Sequence, residues 1–263
     1  MTRREFHPPH GPRGCVAAHC SAAGGSRAEA ATSLRRELRS RHIADKPLRR
    51  FHRKALSDAE TLGASKPNGN VVPRHFEYAL PIEPDAYDPA QAKTLLAEAG
   101  YPNGFDGGDL TPIPPYSGPA EVVANYLGGV GIRMKLRTME RAAFFSGFQG
   151  KKLKGVCFCT IAIFGNTSTR LSENVPSSGT YAYGGWPDVD DLYRQQLNET
   201  DPAKRGGMLH QIQKLLHERT RFAPIYDYFW PSGVGPRVEE VSLMKIDAFP
   251  WAAPLEDLRL KPQ

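Results

Sequence analysis

The stretch from Tyr87 to Asp106, YDPAQAKTLLAEAGYPNGFD, specifies a helix at both of its ends. Asp88 can cap the first turn, Pro89 suits the first helical position, and Gln91 stands where a capping box places its Glu or Gln. Ala92, Leu95, Leu96 and Ala99 recur at helical spacing and give one apolar stripe. Gly100 supplies a left-handed stop, and Tyr101-Pro102-Asn103-Gly104-Phe105 turns the chain away. Propensity, patterning and turn chemistry agree along this unit, and nothing in it is chemically reactive.

At 263 residues the chain can bury a substantial core. No window approaches about 18 uninterrupted apolar residues, so no membrane-spanning helix is expected. The net charge of +6 is unevenly spread. Residues 1–54 hold 13 Lys and Arg against 4 Asp and Glu, and the remainder holds 21 against 24. The body is therefore mildly acidic and has no electrostatic claim on nucleic acid.

Residues 1–45 are rich in Arg, Ala, Ser, Gly, Pro and His and poor in strong apolar residues, which predicts a disordered basic segment. Its opening Thr2-Arg3-Arg4-Glu5-Phe6 is similar to a twin-arginine export signal, but HPPHGPRG replaces the apolar core, so no competent signal peptide is expected. Cys15 and Cys20, near His7, His10 and His19, match no common zinc spacing. Cys157 and Cys159 flank Phe158 in an apolar run and read as small buried hydrophobes. No metal site and no cofactor are expected.

The folded unit is expected over residues 46–263. Arg50 to Leu62 reads as a helix with residues 51, 55, 56, 59 and 62 inward, and SKPNGNVVP as a loop. Pro119 opens a helix stopped by Gly131, Ile132 to Thr138 alternates as a strand, and Arg141 to Gln149 reads as helical. Gly155 to Phe164 is an apolar run suited to the interior of a sheet. Trp186-Pro187-Asp188 starts a helix carrying Val189, Leu192, Tyr193 and Leu197, and Asp201-Pro202 starts a longer one. On the latter, His210 and His217 beside Gln211, Gln213 and Glu218 read as a solvated flank. Phe222 to Trp230 and VSLMKI read as strands, and helices alternate with strands at α/β spacing.

Several of these segments, in order over residues 47 to 260, resemble family 5 of the bacterial extracellular solute-binding proteins, the peptide, nickel and opine receptors of ABC importers. They are the Tyr87–Asp106 unit, FHRKALSDAETLGASKPNGNVVP, the Gly131-Ile132 step, and YGGWPDVDDLYRQQLNETDPAKRGGMLHQIQKLLHERTRFAPIYDY. The resemblance implies an α/β fold, the C-terminal lobe of a type II periplasmic-binding-protein clamshell with a mixed sheet flanked by helices. It also implies a periplasmic, monomeric, non-enzymatic protein that takes a peptide or other small-molecule ligand and works with ABC permease subunits in the membrane. The N-terminal lobe of the family has no counterpart, so a truncated receptor is expected, with a non-functional gene fragment or a nucleic-acid-associated protein acting through the Arg-rich N-terminus as alternatives.

The resemblance also directs attention to Thr160–Asn166. Peptide-binding members often carry Trp-x-Ala-Asp-Tyr there, whereas this chain has Thr160 for the Trp, Ile163 for the Asp and Phe164 for the aromatic. Ile163 cannot form a carboxylate–ammonium bond, which points to a more neutral or aromatic solute. The ligand-binding candidates are Phe164, Asn166 and Arg170, with Tyr183 and Trp186 from a Gly-rich loop that also carries Tyr181. The alternative for Phe164 is core packing, and for Asn166 the shaping of a turn. Tyr226, Tyr228 and Trp230 alternate on one strand face and read as core. No Gly-x-Ser-x-Gly, His-x-x-x-His or Gly-x-x-x-x-Gly-Lys pattern occurs, so no catalytic residue is assigned.

Overall fold

Local sequence rules produce the central helix as expected. In a computed structural model of the chain, which describes residues 46–160, 166–228, 235–240 and 255–262, that helix spans Pro89–Glu98. Asp88 Oδ1 accepts the Gln91 amide at 2.8 Å. At the other end Gly100, at φ +93°, donates to Ala97 O, and Tyr101 N reaches Leu96 O at 2.8 Å. This pair of bonds is a Schellman closure. Ala92, Leu96 and Ala99 are buried. The expectations for residues 1–45, for Ile161–Gly165 and for VSLMKI lie outside the described residues.

The helices in chain order are α1 (Arg53–Thr61), α2 (Pro89–Glu98), α3 (Ser117–Gly129), α4 (Arg141–Gln149), α5 (Thr167–Ser172), α6 (Pro187–Asn198) and α7 (Pro202–Glu218). The strands are β1 (Lys66–Pro67), β2 (Phe105–Pro112), β3 (Ile132–Leu136), β4 (Val156–Phe158), β5 (Tyr226–Asp227), β6 (Val238–Glu240) and β7 (Arg259–Leu260). A parallel sheet has the order β3-β2-β4, with α3 and α4 as the crossovers that parallel pairing demands. β1 pairs antiparallel with β5, and β6 with β7. Among the described residues, parallel and antiparallel pairing thus both occur.

The middle strand, β2, lies where the sequence suggests only a turn and a connection. Its run FDGGDLTP contains a register shift between Asp106 and Gly108 against β3, so neither alternation nor propensity advertises it. Its start is fixed by Gly104, whose Cβ, if present, would stand 1.9 Å from Gly131 O. Phe105 N donates to that same carbonyl at 3.0 Å and begins the ladder. The apolar run at Gly155 gives β4, which among the described residues pairs with β2.

Apolar side chains gather in three clusters. One joins Phe51 and Leu56 to α2, α3 and Ile132. A second joins Val72, Leu171 and Val175 to α6 and α7. The third, around Ile113, Tyr116 and Phe144, sits beside α4. Several inward positions are polar where apolar residues are expected. Leu62 closes α1 in the left-handed region and is 95% exposed, while Arg53 and Ser57 face inward. On α6 Leu197 is exposed and Gln196 is buried, its Nε2 donating to Ser168 Oγ at 2.9 Å.

The solvated flank expected on α7 holds for Gln211 and Glu218, which are exposed, but not for Gln213. Gln213 is 1% exposed and saturated: Oε1 accepts from Asn70 Nδ2 at 2.6 Å and Leu80 N at 2.8 Å, and Nε2 donates to Tyr78 O at 2.8 Å and Leu209 O at 2.9 Å. These bonds supply the loop of residues 68–80 with the partners it lacks as irregular backbone. His217 is half-buried, and Arg49 Nη1 contacts both its Nδ1 and its carbonyl at 2.9 Å.

Candidate functional site

The same loop forms one wall of a cavity of about 510 Å³. Asn68 Nδ2 donates to Asp227 Oδ1 at 2.9 Å and to Val72 O at 3.2 Å, while Asn68 Oδ1 accepts Asn70 N at 2.9 Å. The β1–β5 ladder aligns Lys66 with Asp227, and together these contacts hold the Asp227 carboxylate at the cavity wall.

Arg170 reaches the cavity from α5, a short helix gripped on several sides. Asn166 caps it, its Oδ1 accepting Thr169 N and Oγ1 at 2.9 Å. Leu171 is fully buried, the Thr167 hydroxyl donates to Glu77 O, and Ser168 O accepts the Tyr193 hydroxyl at 3.2 Å. The Arg170 guanidinium then donates through Nε to Val71 O at 3.0 Å. Burial lowers its pKa to about 10, opposed by the negative charge of Asp227, so it remains a cation at neutral pH. Burial likewise pushes the Cys159 thiol up to about 11 and Tyr226 up to about 12. At neutral pH these groups are uncharged hydrogen-bonding partners.

Aromatic rings form much of the remaining wall. Phe148 of α4 stacks with Tyr181 at 5.1 Å and Tyr183 at 5.5 Å between ring centres. The Tyr183 hydroxyl donates to Gly147 O at 3.2 Å and receives Leu153 N at 3.3 Å. Tyr116 meets Tyr228 edge-on at 5.6 Å. Tyr226 and Tyr228, expected as core, are half-buried wall residues, as are Cys157 and Cys159.

Of the five residues nominated from sequence, Arg170 and Tyr183 come together at the cavity. Asn166 is exposed and caps α5 instead of entering the wall. Trp186 also lies off the wall, its ring contacted by the guanidinium groups of Arg219 at 5.1 Å and Arg221 at 5.4 Å. Phe164 lies outside the described residues. Arg221 and Asp227 are wall residues that sequence reasoning missed, although both stand in the segment whose resemblance was recognised. Among the described residues no group of three or more His, Cys, Asp or Glu is placed to hold a metal ion, and no helix is long and apolar enough to cross a membrane.

Comparison with known proteins identifies the fold and the family. The family description "Bacterial extracellular solute-binding proteins, family 5 Middle" matches residues 51–204. The glutathione-binding protein GsiB of Shigella dysenteriae is 30% identical over 194 residues, covering 66% of this chain and 37% of GsiB. The chain therefore spans little more than a third of the length of that relative. Among solved structures, HbpA2 from Haemophilus parasuis superposes with a TM-score of 0.67 at 21% identity, covering 86% of this chain and 46% of HbpA2. The periplasmic binding protein DppA from Helicobacter pylori, in complex with the peptide STSA, gives 0.65 at 18% identity, covering 84% and 44%. These neighbours share the type II periplasmic-binding-protein fold, and the family is one of solute-binding proteins rather than enzymes. The chain belongs to the bacterial extracellular solute-binding proteins of family 5.

Proposed function

We propose that this chain acts as a substrate-binding component of an ABC-type importer, taking peptides or similar small solutes in the periplasm and delivering them to permease subunits in the membrane. Residues 46–263 are the solute-binding unit in this reading. The observation that carries it is the aromatic cavity of about 510 Å³ between three apolar clusters, with Arg170 and Asp227 in its wall. Its size suits a small ligand, and its chemistry combines apolar area with a few placed charges. The names of the relatives make glutathione and short peptides the first ligands to try.

Isothermal titration of the full chain against glutathione, di- and tripeptides, opines and nickel is the test. Saturable heat from at least one solute, lost when Tyr183→Ala opens the wall, is the expected result. An absence of binding across the whole panel removes the proposal.

A further inference from the structure

The charges of the cavity deepen that reading and rest on it. Among the described wall residues the charged side chains are Arg170, Arg221 and Asp227, and each is engaged by other parts of the protein. Arg170 donates through Nε to Val71 O at 3.0 Å and stands in the field of Asp227, whose negative charge favours its cationic form against burial. Asp227 accepts a hydrogen bond from Asn68 Nδ2 at 2.9 Å. Arg221 is turned from the cavity. Its Nη2 donates to Gly184 O at 2.8 Å and its guanidinium lies over Trp186 at 5.4 Å, and neither Gly184 nor Trp186 lines the wall.

The rest of the described wall is uncharged. Tyr226 and Cys159 keep their protons at neutral pH. Tyr116, Tyr228 and Tyr226 stand in a row, with 5.6 and 6.2 Å between successive ring centres. Such side chains combine a ring face with a hydroxyl that both donates and accepts hydrogen bonds. A ligand charge entering this wall sheds its water to meet charges already balanced within the protein, and that desolvation is costly. An uncharged ligand loses little on entry and gains the apolar and ring contacts. Linear peptides carry an ammonium and a carboxylate at neutral pH. A peptide that is cyclised or blocked at both ends carries neither.

We infer that the cavity selects an uncharged aromatic amide, a cyclic or doubly blocked peptide, over the same peptide with free termini. The mutual compensation of Arg170 and Asp227 is the specificity determinant.

The test is calorimetric titration of the full chain with four charge forms of one compound, run beside glutathione and the peptide panel. The forms are N-acetyl-phenylalanine amide, N-acetyl-phenylalanine, phenylalanine amide and phenylalanine: neutral, anionic, cationic and zwitterionic. Cyclic and linear glycyl-phenylalanine complete the set. The neutral form is expected to bind at least about tenfold more tightly than each charged form, and the cyclic dipeptide to exceed the linear one by a similar factor. Asp227→Asn leaves the Arg170 charge without its opposing carboxylate and should bring the anion within about twofold of the neutral form. Arg170→Gln should do the same for the cation, with thermal melts confirming that both variants fold. The ranking in the parent decides by itself should a variant fail to fold. Equal or tighter binding of any charged form by the parent overturns the inference, as does an unchanged ranking in both folded variants. Binding of glutathione or a linear peptide without any response to the neutral forms also overturns it but leaves the solute-binding reading intact. Silence from every ligand defeats both.

Discussion

Replacing Gln213 with Leu keeps the volume and helix propensity of the site but removes four hydrogen bonds. Leu209 O is a helical carbonyl and keeps its backbone partner, so three groups are left wanting: the Leu80 N–H, the Tyr78 carbonyl and one Asn70 amide hydrogen. A buried polar group without a partner costs about 1–3 kcal/mol. The Asn70 bond is buried, whereas those to Leu80 and Tyr78 are partly buried, so the latter belong at the low end. The sum is roughly 4 kcal/mol, of which about 1 kcal/mol is regained by apolar burial of Leu. A net loss of about 3 kcal/mol is a large share of the 5–15 kcal/mol typical of a folded protein. Urea titration followed by circular dichroism should show the midpoint falling by roughly 1–2 M at an unchanged slope. Gln211→Leu, two residues away on the exposed face of α7, is the control and should stay within about 0.5 kcal/mol of the parent. Coincident midpoints for the two variants would refute the claim that Gln213 holds the loop of residues 68–80.

Burial and the neighbouring Arg49 guanidinium lower the His217 pKa below its usual 6.5, with the carboxylates of Asp85 and Glu218 opposing. Between the lowered value and 6.5 the unfolded chain binds a proton that the folded chain refuses, so stability should be full above pH 7, decline as pH falls below 6.5, and level off beneath the folded pKa. Urea midpoints from pH 5 to 8 should show this dependence reduced in His217→Gln; an identical slope in both proteins would contradict it. Gly104→Ala should cost more than Gly100→Ala in calorimetric melts. Both glycines have positive φ, worth about 1–2 kcal/mol to an L-residue, but only at Gly104 does the added methyl also strike the Gly131 backbone, whereas Gly100 has open space. Equal losses would show that the seam between Gly104 and Gly131 relaxes freely.

The helices were more legible in the sequence than the sheet. Asp88-Pro89, Trp186-Pro187 and Asp201-Pro202 begin helices as their chemistry requires, and the span Arg141–Gln149 is found as expected. β2 was invisible because its Gly107-Gly108 bulge and flanking aspartates carry low strand propensity, and pairing on both sides imposes the extended form. Arg53, Gln196 and Gln213 were hidden for a related reason. Periodicity counts apolar residues, whereas these positions are inward because partners elsewhere in the chain satisfy them. At the cavity, Arg170 and Tyr183 could be nominated from their neighbourhood. Asp227 and Arg221 owe their role to β-pairing and to ring contacts across dozens of residues, which no local window contains.

The cavity draws its wall from all three apolar clusters: Phe51, Val123 and Leu127 from the first, Val71 and Phe222 beside the second, and Tyr116 from the third. Under the proposed function, a solute seated there is a keystone as well as a cargo. Its binding free energy adds to the cohesion of every cluster at once. On that proposal, release of the solute and loosening of the whole unit are two faces of one equilibrium.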